Sequence, residues 1–233
     1  CRGSTAGRRR EIERIARPPA FSNDRETDED QDKNRVTPIS AGVRPSTLDT
    51  TPAAVQVVPS GPTLNPENIH RLLIAAIYSA QRQITLTTPY FVPDESLLIA
   101  LTSAAARGVD TLIILPAQND SVLVRHASNA YLGELLAAGV KVARFRGGLL
   151  HTKSVTVDDH LAAFGTVNLD MRSFHLNFEL TLLIYDRGFT RRLTTLQQSY
   201  LMNCNMATLE AWRQRSYRTR LLDNAARLLG PLL

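Results

Sequence analysis

A histidine and a lysine two positions apart have the clearest chemical potential in this sequence. His151 and Lys153 precede Val155–Val157, a β-branched run that predicts a strand. Side chains alternate across a strand, so we expect the imidazole and the ammonium to project to one face. An imidazole titrates near neutral pH and can act as nucleophile or proton donor, and an ammonium stabilises anionic oxygens. The pair therefore suits a phosphodiester substrate, and we predict neither a metal site nor a cofactor.

Polar and small residues follow this pair in a regular order. Asp158 lies at the predicted turn into a second strand, residues 160–164. In a strand, Asp158 would point to the opposite face from His151 and Lys153. We therefore expect it to stabilise the turn and not to contact the substrate. Gly165 would let the backbone pass close to a phosphate, Asn168 can donate a hydrogen bond to it, and Thr166 adds a hydroxyl. We therefore predict that the phosphate group is held by the stretch from Gly165 to Asn168.

The order and spacing of these residues resemble the motif of the phospholipase D superfamily. His151, Lys153 and Asp158 match its catalytic H-x-K-x4-D element, and the Gly-Thr-x-Asn segment that begins at Gly165 matches the next element. The resemblance extends from about Val57 to the C terminus. Three flanking segments also resemble the C-terminal half of bacterial cardiolipin synthases: Thr88–Asp94, Gly147–Leu150 and Asn168–Ser173.

This resemblance implies a phosphatidyltransferase that forms cardiolipin from two phosphatidylglycerol molecules through a phosphohistidine. Family members combine two such motifs, with one histidine as nucleophile and the other as acid and base. This sequence contains one motif, so we expect a half-site whose second half comes from a missing N-terminal half or from a homodimer. His151 could take either role. The resemblance also implies that Glu179 orients the imidazole, and that Thr166 stands where serine is more common.

Two other functions compete with this interpretation. One is phosphodiester hydrolysis, as in a phospholipase D or a homodimeric nuclease, and the other is an inactive membrane-binding fragment. The net charge of +5 favours anionic partners of any kind. The flanking segments favour lipid, so the expected partners are phosphatidylglycerol and an anionic membrane, and nucleic acid is not expected.

The chain around the motif alternates helical and strand patterns. This alternation predicts an α/β fold with a largely parallel or mixed β-sheet between helices, as in half of a phospholipase D-like protein. His70 and His126 fall on predicted helix surfaces, where we expect structural or solvated roles. The predicted helices are one that starts at Asn65, Glu95–Arg107 and Ser121–Ala138, and the other strands are Ile84–Thr88, Val109–Leu115, Val140–Phe145 and Phe178–Tyr185.

The two ends of the chain differ from this central pattern. Residues 1–52 have few apolar side chains and are predicted to be a disordered or non-native segment, and residues 53–233 are predicted to form the phospholipase D-like domain. Helices are expected over about 190–233, with a break near 203–206. Their mixture of arginine and leucine suits a helix on an anionic membrane surface or one packed on the domain. We expect association with the bacterial cell membrane, with transmembrane segments outside this fragment.

Overall fold

A mixed β-sheet with helices packed against it organises the part of the chain that the structure describes. The structure is a computed structural model, and it describes residues 53–64 and 67–230. The predicted disorder of residues 1–52 and the helix start at Asn65 lie outside these ranges. The strands are β1 (Ala54–Ser60), β2 (Gln83–Thr87), β3 (Phe91–Val92), β4 (Asp110–Pro116), β5 (Lys141–Phe145), β6 (Ser154–Val157), β7 (Leu161–Gly165), β8 (Leu169–Asp170), β9 (Glu179–Tyr185) and β10 (Cys204–Met206).

The helices lie between these strands and after the last of them. Capping side chains define several helix starts: Asp94 and Ser121 each accept a hydrogen bond from the backbone three residues on. The helices are α1 (Glu67–Ser79), α2 (Glu95–Ala106), α3 (Val122–Ala137), α4 (Met171–His175), α5 (Arg187–Leu201), α6 (Leu209–Arg213) and α7 (Tyr217–Leu228).

The main sheet is mixed, which confirms the predicted α/β class. Its strand order is β1-β9-β7-β6-β2-β4-β5-β10, and only the β2–β4 and β4–β5 pairs are parallel. The parallel portion is smaller than the alternation of elements suggested. Parallel neighbours need a long crossover, which α2 and α3 provide, whereas β6 and β7 form a hairpin and pair antiparallel. The short β3 and β8 form a separate parallel pair.

Two edge strands lie where no strand was predicted. β1 pairs antiparallel with β9, from Ala54 opposite Tyr185 to Ser60 opposite Glu179. β10 occupies the predicted helix break and pairs antiparallel with β5, with Cys204 opposite Phe145. These strands are short or largely exposed, so their sequences lack the clear apolar alternation that identifies a strand.

A buried glutamine connects α5 to the strands that lead to the motif. The Gln197 side chain accepts a hydrogen bond from Thr156 Oγ1 at 2.8 Å and donates one to Ser154 Oγ at 3.2 Å. It also donates to the backbone oxygen of Thr85 at 3.3 Å. These contacts fix β2 and β6 against α5. Because Lys153 directly precedes β6, they also help to fix the position of the motif.

The length and composition of the described helices determine whether any of them could cross a membrane. None of them is both long enough and apolar enough to cross a bilayer. The longest is α3, with 16 residues, whereas a spanning helix needs roughly 20 apolar residues.

Candidate active site

His151 and Lys153 lie immediately before β6, which corrects the prediction that they are strand residues. β6 begins at Ser154, whose partners are Thr87 on β2 and Phe164 on β7. Thr87 is the last residue of β2, so no strand continues beside residues 151–153 on that side. Only one backbone contact extends the ladder, from Gly165 N to the Lys153 oxygen at 3.2 Å. His151 and Lys153 therefore lie just beyond the point where the pairing of β2 with β6 ends.

The two side chains meet even though they lie outside the strand. Lys153 Nζ is 3.0 Å from His151 Nδ1 and 3.2 Å from Nε2, and it also donates to the His151 backbone oxygen at 3.0 Å. The ammonium therefore contacts both ring nitrogens and the backbone oxygen of His151. Burial lowers the pKa of Lys153, while the nearby charges of Glu179 and Asp170 act to raise it.

Asp158 lies at the other end of β6 and is engaged by the backbone. Its carboxylate accepts hydrogen bonds from the N–H groups of Gln81 at 3.2 Å, Arg82 at 2.9 Å and Gln83 at 3.0 Å. Burial alone would raise the pKa of Asp158, but these three bonds hold it below its usual value. The residue also adopts a left-handed conformation, with φ of 51°. Its contacts fix the β6–β7 turn to the loop between α1 and β2.

Gly165 and Thr166 contact β9. A Cβ atom at Gly165 would lie 2.0 Å from the Leu180 backbone oxygen, so the close approach of two strands requires glycine here. Thr166 Oγ1 accepts a hydrogen bond from Leu180 N at 2.9 Å. These contacts give both residues a structural role, and their predicted contact with phosphate stays a prediction.

Asn168 and Glu179 border the same region. Asn168 Nδ2 donates to Ser173 Oγ at 3.2 Å, and its buried Oδ1 has no hydrogen-bond partner among the described residues. The Glu179 carboxylate accepts from Asn177 Nδ2 at 3.3 Å. The side chain that contacts the imidazole of His151 is Lys153. The charge of Glu179 lies near Lys153 and acts to raise its pKa. The proposed orienting role of Glu179 stays a prediction.

Asp170 is a further member of this region, for which no role was predicted from the sequence. Asp170 is 4% exposed and caps α4 by accepting a hydrogen bond from Ser173 N at 2.6 Å. Burial raises its pKa; the hydrogen bonds with Ser173 oppose that shift, and the charge of Glu179 adds to it. The available signal was an aspartate at the start of a short helix directly after the motif.

The two helix histidines form hydrogen bonds with aspartate side chains away from the motif. His70 is nearly buried, with Nε2 2.9 Å from Asp94 Oδ1, and His126 Nδ1 is 2.7 Å from Asp223 Oδ1. Both are therefore structural residues, one of the two roles expected from their helical positions.

Comparison with known proteins identifies relatives of this chain. The sequence profile of the family described as "Cardiolipin synthase, PLD-like domain" matches residues 73–200. Cardiolipin synthase A of Pectobacterium carotovorum is 50% identical over 179 residues, which cover 77% of this chain and 37% of that protein. Cardiolipin synthase A of Buchnera aphidicola is 49% identical over 181 residues, again 37% of its length. The chain thus spans just over a third of the curated relatives that it matches.

Solved structures share the fold at lower sequence identity. The phosphatidylserine synthase of Haemophilus influenzae has a TM-score of 0.63 and 19% identity, over 78% of this chain and 49% of that chain. The phospholipase D family member Nuc of Salmonella typhimurium has a TM-score of 0.58 and 20% identity, over 67% of this chain and 99% of that chain. These structures support the fold.

Proposed function

Because this chain belongs to the PLD-like domain family of cardiolipin synthases, we propose that it carries one half of a phosphatidyltransferase site centred on His151. The observation that supports this function best is the contact of Lys153 Nζ with the ring of His151, at 3.0 Å. The imidazole is exposed where the sheet opens, so a phosphodiester can reach it. The substrate class is phosphatidylglycerol, and the product is cardiolipin.

Lys153 links substrate binding to activation of the imidazole. In the free protein its ammonium contacts the ring nitrogens and the backbone oxygen of His151. A bound phosphodiester offers stronger anionic acceptors, so the ammonium turns to the non-bridging oxygens and leaves the imidazole free to react. Charge that builds on those oxygens during the transfer is then stabilised by Lys153 and by the amide of Asn168.

Two balanced steps form the product. In the first, an imidazole nitrogen forms a bond to phosphorus while the bond from phosphorus to the glycerol oxygen breaks, and the leaving alkoxide takes a proton from an acid. In the second, the conjugate base of that acid takes the proton of a hydroxyl of another phosphatidylglycerol. The hydroxyl oxygen then attacks phosphorus, and the bond from phosphorus to the histidine breaks. His151 performs one of these two roles, and the histidine of the second half-site performs the other.

The remaining site residues support this chemistry from around the pair. Glu179 and Asp170 place negative charge near Lys153, which favours the ammonium form that the transfer needs. Gly165 and Thr166 fix β7 against β9 and present the backbone that leads to Asn168. The second half-site comes from a preceding half of a longer chain or from a second copy of this one, and the substrate reaches both from an anionic membrane.

The test is a transferase assay in the chain extended at its N terminus to the length of its curated relatives. Purified protein is mixed with phosphatidylglycerol vesicles, and cardiolipin and free glycerol are measured. We expect His151→Ala to abolish both products, whereas His160→Ala, at an exposed position of the same hairpin, retains them. Release of phosphatidic acid without cardiolipin would identify a phospholipase instead, and cleavage of single-stranded DNA without cardiolipin would identify a nuclease.

A further inference from the structure

A polar cavity lies between α3, α6 and α7. Its volume is about 260 Å³, and none of its lining residues belongs to the His151 region. This size suits a headgroup better than a whole lipid, since pockets for drug-sized ligands occupy roughly 300–1,000 Å³. Three arginines and one aspartate carry its charge: Arg213, Arg215, Arg220 and Asp223.

The single carboxylate of this cavity is already fully engaged. Asp223 Oδ1 is 2.7 Å from His126 Nδ1, and its Oδ2 accepts a hydrogen bond from Arg215. Its side chain is only 3% exposed, so both partners hold it inside the domain. Arg213 and Arg220 form no ion pair with any residue of the described part of the chain. The cavity therefore has an excess of positive charge.

Strand β5 adds a further positive charge next to a residue that lines the cavity. Arg144 on β5 contacts the lining residue Asn129, with 3.4 Å between Nη1 and Oδ1. Burial lowers the pKa of Arg144, and the neighbouring charges of Arg215 and Arg125 lower it further. Guanidinium groups crowded in this way repel one another, and a bound anion would relieve that repulsion.

Arg215 is also held in position before any ligand arrives. Its guanidinium stacks 4.2 Å from the centre of the Trp212 ring while it donates to Asp223. A planar guanidinium held in this way loses little freedom on binding and matches the oxygens of a phosphate in pairs.

From this arrangement we propose that the cavity between α3, α6 and α7 binds a phosphate group, with Arg213, Arg215 and Arg220 as its ligands. The group can come from free phosphate or from a phospholipid headgroup. Headgroup binding is favoured by the neighbouring surface of α7, where Tyr217, Leu221 and Leu222 are 78%, 57% and 58% exposed. Apolar side chains beside a phosphate site can enter a membrane interface while the headgroup is held.

Trp212 provides a direct readout, because it is the one tryptophan of the whole sequence and it lines the cavity. The intact chain is titrated with inorganic phosphate, with phosphatidylglycerol vesicles and with neutral phosphatidylcholine vesicles, and tryptophan fluorescence is recorded. We expect a saturable change with inorganic phosphate or phosphatidylglycerol vesicles, and a weaker one with phosphatidylcholine, whose choline group neutralises its phosphate. Arg220→Gln should weaken the response about tenfold, the usual effect of losing one charge-assisted hydrogen bond. Arg213→Gln should act similarly, and circular dichroism checks that each variant folds.

Arg218→Gln is the matched control, because Arg218 is exposed on the same helix and does not line the cavity. It should leave the titration unchanged, as should His151→Ala. A response to free phosphate that vesicles do not displace would identify free phosphate as the ligand, and a response to vesicles alone would identify the headgroup. The proposal is overturned if chloride at equal ionic strength reproduces the change, if no titrant alters the fluorescence, or if Arg218→Gln weakens binding as much as Arg220→Gln.

Discussion

The two ends of β6 place residues of one sequence motif in opposite environments. At the start of the strand, His151 and Lys153 contact each other at 3.0 Å beside the open end of the sheet. Beyond its end, Asp158 is 5% exposed, and its carboxylate accepts three backbone hydrogen bonds. The side chains at the start of the strand are accessible to a substrate, whereas the carboxylate beyond its end is engaged by backbone groups of the protein.

This difference shows that one spacing pattern can combine residues with separate physical tasks. Asp158 accepts hydrogen bonds from three backbone N–H groups around the start of β2, which stabilises the fold. Lys153 loses solvation and contacts only neutral groups of the imidazole and the His151 backbone, which leaves its charge available for an anionic ligand. We therefore expect substitutions at the two ends to separate activity from stability.

The largest effect is expected at the open end. Lys153→Met should lower cardiolipin formation in the extended protein by roughly 10²–10³-fold, the usual loss when a group that stabilises developing charge is removed. Its free energy of unfolding should change by less than about 0.5 kcal/mol, as for most partly exposed positions. Initial rates and urea denaturation measure the two quantities. Destabilisation comparable to that of the Asp158 variants would remove the distinction between the two ends.

The opposite result is expected beyond the end of the strand. Asp158→Ala leaves three backbone donors without their acceptor and places alanine at a positive φ, so unfolding should become easier by about 3 kcal/mol. Asp158→Asn keeps one oxygen and tolerates that φ, so its loss should be smaller. Urea denaturation of both variants ranks them. A stable alanine variant that lacks activity would mean that Asp158 acts on the substrate.

A third prediction concerns the backbone contact that holds β7 beside the motif. Gly165→Ala places a methyl group on the Leu180 oxygen, and the strands must separate. We expect a loss of about 2 kcal/mol in the free energy of unfolding, typical of overpacking at a rigid contact. Gly188→Ala is the comparison, because the nearest atom there is a side-chain oxygen of Asp186 at 3.2 Å, a much looser contact than that at Gly165, and alanine favours the helix. Equal stability of the two variants would show that β9 can move away from β7 at little energetic cost.

The smallest effect is expected in the pH dependence of stability. The pKa of Asp158 is lower in the folded state than its usual value, so its ionised form stabilises the fold. That contribution is complete above the unfolded pKa of about 4 and disappears as pH falls through the folded pKa. The stability gap between the unsubstituted chain and Asp158→Asn should therefore narrow below about pH 4. Urea titrations between pH 2 and pH 7 measure it, and a constant gap would assign the difference to packing.

Local signals predicted much of the fold. The predicted helices Glu95–Arg107 and Ser121–Ala138 are each followed by a glycine that can end a helix, and Gly108 and Gly139 have positive φ values, of 84° and 91°. The predicted bounds of β2, β4 and β5 differ from the observed strands by a residue or so at each end. β1 was missed because its partner β9 lies more than a hundred residues later, and no local pattern records such a pairing.

The candidate site could be predicted less completely than the fold around it. The types and spacing of His151 and Lys153 indicated phosphodiester chemistry, but their position outside the strand depends on where β2 ends. Asp170 was missed because its burial and its proximity to Lys153 arise only when β8 pairs with β3. The arginine cavity likewise combines α3, α6 and α7, which are separate along the chain.

The pairing of β1 with β9 also has a consequence for how the domain forms. Ala54 cannot meet Tyr185 until every strand between them has been made, so this edge of the sheet closes late. Contacts between distant parts of a chain fold slowly, because the intervening loop must first be closed. During synthesis on the ribosome, β1 would wait unpaired with its backbone groups exposed. During that interval the exposed strand is open to misassembly and to recognition by chaperones.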